Sequence, residues 1–395
     1  MTTAQAGDII DVGALGLLRD AALSRAPVSL GSRRTDSPHE FYRYPARFSP
    51  DFARAAINAF TAPGSLVVDP FVGGGTTAVE AVLAGRQCFV ADVNPLATFV
   101  TRVKLTPLSP RNQQAVRSWM KALPKVLWVN QPAPPITEWA EQGYLKDLTT
   151  RTTWRITKLV RQALAEIDPE NRTAGAFCRC VVLRTAQWAL DMRSSIPTVA
   201  EFRSALLQIG EDMLAAACEY AVSLPKSGTK PIVINSGLPG LAGEFHPGMP
   251  EPRLILTSPP YPGVYVNYHR WKLLGRHEIR APYWIADQRD GNGLAHYTMH
   301  ARAEPTLNTY FSKLQLAFTD LARIASPSTT LVQLVGFSAP EMQLSRYLDA
   351  MTISGFEEQL LPELATHSDG RLWRSVPGRR CPFRRPADLR RVGLI

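Results

Sequence analysis

Two short segments carry most of the chemistry in this chain. Thr257-Ser258-Pro259-Pro260-Tyr261 closes the apolar run Arg253-Leu254-Ile255-Leu256, and Asp69-Pro70-Phe71-Val72-Gly73-Gly74-Gly75-Thr76-Thr77 closes the run Leu66-Val67-Val68. The first segment suits an exocyclic amine on a nucleobase. Such an amine is a poor nucleophile, because its lone pair is delocalised into the ring. A site that activates it must hold both N–H groups out of the ring plane. Ser258 and the Pro259 carbonyl are suited to accept them, and the two prolines stiffen the backbone and bring no N–H of their own. Tyr261 offers a π face to a base taken out of its stack. No covalent nucleophile is needed, since positioning supplies the rate. Ser258, Pro259, Pro260 and Tyr261 are therefore the candidate catalytic set.

The second segment suits a small-molecule ligand. Gly73, Gly74 and Gly75 let a backbone approach a ligand closely with its N–H groups turned inward. A phosphate-cradling loop would end in Gly-Lys-Ser/Thr, but Gly75 is followed by Thr76-Thr77. The Gly-x-Gly-x-x-Gly fingerprint of dinucleotide folds is also lacking. Asp92, at the end of the next apolar run, is placed to accept hydrogen bonds from both hydroxyls of a ribose.

Strands and helices must hold these segments. Ser65–Asp69 and Gln87–Asp92 read as strands, with helices from Thr76 to Ala84 and from Asn94-Pro95 to Lys104. Ser49 is an N-cap with Pro50 at the first helical position, ahead of the stripe Phe52, Ala55, Ala56, Ala59 and Phe60. The order strand, glycine loop, helix, strand, acid is the first half of a doubly wound sheet. From Thr106 to Lys230 helical periodicity dominates, broken at Gln131–Pro135, Asp168–Asn171 and Ser194–Pro197. Strands follow at Pro231–Asn235, Arg253–Leu256 and Thr330–Phe337, with helices near Leu307–Ile324 and Pro340–Thr352 and a last β segment. The fold class is thus α/β: a sheet with helices on both faces, interrupted by a mainly helical insertion.

The 395 residues carry a net charge of +10, which favours a polyanionic partner. Eight arginines lie between Arg371 and Arg391 against Asp388 alone, and Trp373 and Phe383 offer stacking surfaces among them. Arg379 and Arg380 are the phosphate-contact candidates there. Arg151, Arg155 and Lys158 form a second basic stripe on a helix whose apolar face is Ile156, Leu159, Val160 and Ala163. Tyr265, His269 and Arg270 follow the Ser-Pro-Pro-Tyr segment directly and could wall a base pocket. The five cysteines form neither a paired framework nor CxxC knuckles, and His296 and His300 have no third ligand near them in sequence, so no metal is expected. No run of apolar residues is long enough to span a membrane, and a soluble, cytoplasmic protein is expected.

Asp69–Thr77, Asp92-Val93-Asn94-Pro95 and Thr257–Tyr261 closely resemble the motifs of bacterial DNA amino-methyltransferases, in particular the cytosine-N4 group, whose catalytic motif begins with Ser. The resemblance covers roughly residues 38–104 and 231–337. It implies a Rossmann-like class I methyltransferase sheet and S-adenosyl-L-methionine as cofactor. The cofactor residues it implies are Tyr44, Asp69, Pro70, Phe71, Gly73, Gly74, Gly75, Thr76, Thr77, Asp92, Val93, Asn94 and Ser236. His39–Phe48 resembles the segment that packs on the methionine part, and Asn235-Ser236 stands where the adenine is contacted, although the acid often found there is absent. The implied organisation is a lead-in at 1–30, an AdoMet-binding half at 31–105, a helical insertion at 106–230 that could read the target, a catalytic half at 231–370 and an arginine-rich segment at 371–395. Many cytosine-N4 enzymes place the catalytic motif before the glycine loop; here it follows by about 180 residues. The expected partners are double-stranded DNA and cognate restriction or defence proteins. Adenine N6, an RNA base, and a non-catalytic DNA-binding role stay open as alternatives.

Overall fold

The computed structural model describes residues 11, 13–24, 37–44, 47–226, 230–246, 248–262, 270–291, 297, 299, 304–376 and 390–394. Its centre is a seven-stranded sheet in the order β3-β2-β1-β4-β7-β9-β8. The strands are β1 (Leu66–Asp69), β2 (Gln87–Ala91), β3 (Ile232–Ile234), β4 (Pro252–Thr257), β7 (Thr330–Phe337), β8 (Leu372–Val376) and β9 (Arg390–Leu394). The five from β3 to β7 are parallel, while β9 runs antiparallel to both β7 and β8. A small hairpin, β5 (Trp271–Leu273) with β6 (His277–Ile279), stands apart. This is a Rossmann-like methyltransferase fold, as the sequence implies.

Alternation along the strands assigns the two faces. Val67 of β1 packs with Val90, Leu254, Leu256 and Val332 beneath α1 (Gly13–Leu23), α2 (Pro50–Phe60) and α3 (Thr76–Leu83). Leu66 and Val68 point the other way, with Phe89, Ile255, Val335 and Phe337, beneath α11 (Glu304–Ala322) and α12 (Pro340–Ile353). Burying one large apolar side chain fully is worth about 1.5–3 kcal/mol, so a slip of one residue in register would reverse the core. Within the lead-in, Ala14, Leu15, Leu18 and Ala22 of α1 are buried in the first of these cores. Ser49 caps α2, its hydroxyl accepting from Phe52 N at 3.2 Å.

The insertion comprises α5 (Pro110–Val126), α6 (Thr137–Glu141), α7 (Trp154–Ala165), α8 (Arg172–Leu190) and α9 (Val199–Ser223). It shares one continuous core with Leu96, Val100 and Val103 of α4 (Pro95–Leu105), with Phe41, Tyr42 and Tyr44, and with α10 (Ala281–Ala286). α4 is therefore buried nearly all round, and the insertion extends the sheet's helical layer through it.

The segment from 371 departs from expectation most. Strands β8 and β9 complete the sheet, with Leu334 opposite Leu394 and Phe337 opposite Arg391. Trp373 is buried against Phe337, its ring centroids 6.1 Å apart, and its Nε1 donates to Asp369, so it offers no surface to a base. Arg371 donates to both oxygens of Glu358, at 2.7 and 2.6 Å. Arg379, Arg380 and Phe383 lie outside the described residues.

Candidate active site

Parallel strands deliver their C-terminal ends to one edge, and the direction of the chain order reverses between β1 and β4. Ligands of open α/β sheets bind at such a switch point. A cleft of about 530 Å³ opens there, within the usual range for small-molecule sites. Tyr44, Asp69, Pro70, Phe71, Gly73, Gly74, Thr76, Asp92, Val93, Asn94, Ser236, Ser258 and Pro260 line it. Two segments 180 residues apart, ending at Thr77 and beginning at Thr257, thus face one space.

Asp69 braces the cleft floor. Its Oδ1 accepts from Thr257 Oγ1 at 2.7 Å and from Phe71 N at 3.1 Å, and its Oδ2 from Thr77 Oγ1 at 2.6 Å. One carboxylate thereby ties the end of β1 to the end of β4 and the start of α3. Burial pushes its pKa up to about 6 in spite of the three donors. Thr77 is wholly buried in this brace and does not reach the cleft.

The glycines have a packing reason as well as a ligand reason. A Cβ on Gly74 would lie 2.9 Å from Tyr44 Cβ, and one on Gly75 would lie 2.8 Å from Thr101 Oγ1. Gly73 and Gly75 also have φ of 49° and 81°, in the left-handed region. Gly75 is the N-cap of α3 and, like Thr77, lies behind the cleft wall. Lys104 fixes the loop from beneath: its buried Nζ donates to Gly74 O at 2.7 Å and to His39 O at 3.2 Å. Burial and the nearby Arg47 pull its pKa down to about 7.

Asp92 stands at the next strand end. Its Oδ2 accepts from Gly73 N and its Oδ1 from Asn94 N, both at 2.8 Å. Each oxygen keeps a lone pair for a ligand. Burial raises its pKa to about 6. Asn94 caps α4 through Leu96 N, donates to Tyr44 Oη at 3.2 Å and accepts from Tyr283 Oη at 3.0 Å. Asn235 Nδ2 donates to Asp92 O at 2.8 Å, which holds the neighbouring Ser236 at the cleft.

Ser258 faces the glycine loop from β4. Its Oγ lies 3.0 Å from Leu334 O and 2.8 Å from Tyr261 Oη. A backbone carbonyl only accepts, so a serine proton directed to Leu334 leaves Oγ to accept from Tyr261, with one lone pair to spare. Tyr261 itself sits behind Ser258 against β7, where a Cβ on Gly336 would lie 2.8 Å from its ring. It braces the serine and does not line the cleft as expected. Pro259 is buried and also lies behind the lining, while the Pro260 carbonyl accepts from Tyr310 Oη at 2.7 Å.

Arg47, Phe48 and Val72 line the cleft too, whereas Gly237, Leu238, Pro239, Tyr297, Met299, Lys313 and Leu316 were not anticipated. Arg47 and Phe48 belong to the aromatic and arginine-rich stretch already marked in the sequence. Lys313 and Leu316 share one face of α11, and nothing local distinguishes them from an ordinary helix face.

The expected nucleic-acid contacts fare unevenly. Lys158 Nζ donates to Val129 O at 2.8 Å, and Arg155 lies over the Trp154 ring at 5.1 Å. Neither they nor the exposed Arg151 line the cleft. Arg270 pairs with the buried Asp290 at 3.4 Å, beside Arg280 at 2.9 Å. Tyr265 and His269 lie outside the described residues. Among the described residues no three metal-ligating side chains come together, and no helix is long and apolar enough to cross a membrane.

Fold and cleft together define a Rossmann-like methyltransferase scaffold. Residues 28–97, which contain the glycine loop and Asp92, match the family model of N6/N4 DNA methylases, described as DNA methylase. The chain is also 30% identical over 84 residues to the type II methyltransferase M.MvaI of Kocuria varians, an alignment covering 20% of this chain and 18% of that protein. No solved structure matches significantly. Around its glycine loop the chain is thus similar to DNA methylases of the N6/N4 family, and it aligns with less than a fifth of that relative's length.

Proposed function

We propose that the protein methylates the exocyclic N4 amine of cytosine in double-stranded DNA, using S-adenosyl-L-methionine. The observation that carries this reading is Ser258 Oγ, held by Leu334 O and Tyr261 Oη so that a lone pair is left for the cleft, opposite the glycine loop. The residues fit the cofactor: an acid with spare acceptor capacity at the second strand end, aromatic walls from Tyr44 and Phe71, and a cleft of about 530 Å³. When bound, S-adenosylmethionine supplies an electrophilic methyl group on a sulfonium.

This chain's residues do the rest. Asp92 accepts from ligand hydroxyls while Gly73 N and Asn94 N hold its orientation. Ser258 accepts one hydrogen of the amine and draws it out of the base plane, which restores the nitrogen lone pair. Pro260, its carbonyl fixed by Tyr310, gives a stiff wall beside the base. Cytosine is preferred to adenine because the segment that presents Ser258 resembles the cytosine-N4 motif, which begins with Ser. The product amine is acidified by the transfer, and its proton passes to solvent at the cleft mouth. Asp69 is unsuited to take it, since its oxygens already accept three bonds.

A restriction–modification or phage-defence setting accords with the similarity to a type II methyltransferase. The test is mass spectrometry of nucleosides from DNA incubated with protein and cofactor. N4-methylcytosine is expected; N6-methyladenine alone would reject the cytosine assignment, and no methylated base would reject the reading altogether.

A further inference from the structure

We propose that Arg43 and Arg184 form a phosphate-binding site on the outer rim of the cleft, which grips the DNA backbone beside the target base. The inference rests on the DNA-methyltransferase reading above and adds the element that holds the duplex. It starts from α8. Cys180, Arg184 and Gln187 recur at helical spacing, and all three bond to one strip of backbone. Cys180 Sγ approaches Phe41 O at 3.7 Å, Arg184 Nε donates to Glu40 O at 3.3 Å, and Gln187 bonds to both N and O of Arg43, at 3.0 and 2.9 Å. The insertion thus clamps residues 40–43, directly before the cleft-lining Tyr44. The backbone of Arg43 is fixed, while its side chain is exposed and makes no ion pair among the described residues.

The charges gathered there do not balance. Arg43 and Arg47 are both close enough to act on Arg184, and Glu40 is the acidic neighbour of Arg47 and Arg184. Glu40 already pairs with Arg47 at 2.8 Å. Arg47 is further occupied by His39 O at 2.7 Å, and the Lys104 ammonium behind it is held by carbonyls alone. Arg184 Nη1 is buried and has no hydrogen-bond partner. Burial, reinforced by Arg43, lowers the Arg184 pKa to about 10. A buried guanidinium donor without an acceptor is costly, and an arriving anion would satisfy it.

The position of the cluster selects the anion. Arg47 and Tyr44 line the cleft, but Arg43 and Arg184 do not. The missing acceptor therefore belongs to a ligand that reaches over the rim, and not to a small molecule confined within the cleft. A phosphodiester matches the guanidinium fork and recurs along a duplex. Base flipping also needs the strand held next to the extruded nucleotide. A contact made by these two guanidiniums to the backbone would be insensitive to base sequence.

Fluorescence anisotropy with a labelled duplex, at several salt concentrations, tests the site in the full-length protein. Variants Arg43→Ala, Arg184→Gln and the double variant are compared with Arg184→Lys. Each phosphate contact contributes about 0.9 to the slope of log affinity against log salt. The double variant should lose about one to two such contacts and bind all sequences at least tenfold more weakly, with S-adenosylmethionine affinity by calorimetry unchanged. Arg184→Lys should keep most of the salt slope, because charge is retained. An unchanged slope in a double variant that melts like wild type overturns the proposal. So does a loss of cofactor affinity with DNA affinity intact, which would assign the cluster to the cofactor. Methylation of the same duplex by wild-type protein reports separately on the enzymatic reading, so the two failures are distinct.

Discussion

Replacing Lys104 by Met probes the support of the glycine loop. The ammonium is 1% exposed, and it donates to Gly74 O at 2.7 Å and His39 O at 3.2 Å. Met retains an unbranched stem of similar length but leaves both carbonyls without that donor. Two effects compete. Losing a donor to a buried acceptor costs about 1–3 kcal/mol. Against this, wild type carries the cost of burying an amine whose pKa falls from 10.5 to about 7. Unfolding in that window takes up a proton, so the stability linked to Lys104 is full above 10.5 and is lost as pH falls towards 7. Each pH unit is worth about 1.4 kcal/mol. The variant lacks this dependence. Its deficit relative to wild type should therefore be smallest near neutral pH and grow by about 1.4 kcal/mol per unit as pH rises. Urea denaturation of both proteins at roughly pH 7.5, 8.5 and 9.5 measures this difference, and the comparison cancels groups such as Tyr42 that titrate in both and are not coupled to Lys104. Parallel stability profiles would refute the reasoning, because they would mean that the amine keeps its ordinary pKa or lies in water. Calorimetry on the same variant should show weaker S-adenosylmethionine binding, since Gly74 loses its anchor.

Three other outcomes follow from the cleft. Ser258→Ala should reduce methyl transfer by roughly 100-fold or more, the scale of one positioned hydrogen-bonding group, while cofactor affinity by calorimetry stays at the wild-type value; retained turnover would remove the serine from the site. Asp92→Ala should weaken S-adenosylmethionine by about 1–3 kcal/mol. In wild type that affinity should rise with pH through about 6, as the raised carboxyl ionises, and a flat profile would contradict the role. Gly74→Ala places a Cβ 2.9 Å from Tyr44 Cβ, close to the tyrosine backbone where no rotamer relieves it. A stability loss of about 1–3 kcal/mol is expected in denaturation, and an unaltered midpoint would show that the loop yields.

The sequence by itself determined the local elements of the sheet and the two motifs at their ends. The run Leu66-Val67-Val68 before Asp69, the cap Ser49-Pro50 and the cap Asn94-Pro95 are signals carried by adjacent residues, and the structure follows them within a residue or two. Their chemistry is legible because backbone propensity and side-chain capping act over a few positions. The β5–β6 hairpin and β9 escaped notice. Arg390-Arg391-Val392-Gly393-Leu394 reads as a basic tail, and it becomes a strand through its pairing with β7, a long-range interaction with no local signature.

Tertiary structure alone decided which motif residues face the cleft. Asp69 reaches the cleft but its oxygens are taken by Thr77, Phe71 N and Thr257, and Thr77 is buried behind it. Tyr261 turns against Gly336 and supports Ser258 from behind. The glycines make room for Tyr44 and Thr101, which lie far from them along the chain. Lys104 reads as one cation near the end of a helix, and only folding puts it under Gly74. Likewise only the fold shows that Lys158 of the α7 basic stripe donates to Val129 O and that Arg184 of α8 lies beside residues 40–43 with Nη1 unpartnered. Spacing fixes which face of a helix a residue lies on. Which neighbour that face meets depends on how helices and strands distant in sequence pack, and that is written only in the assembled core.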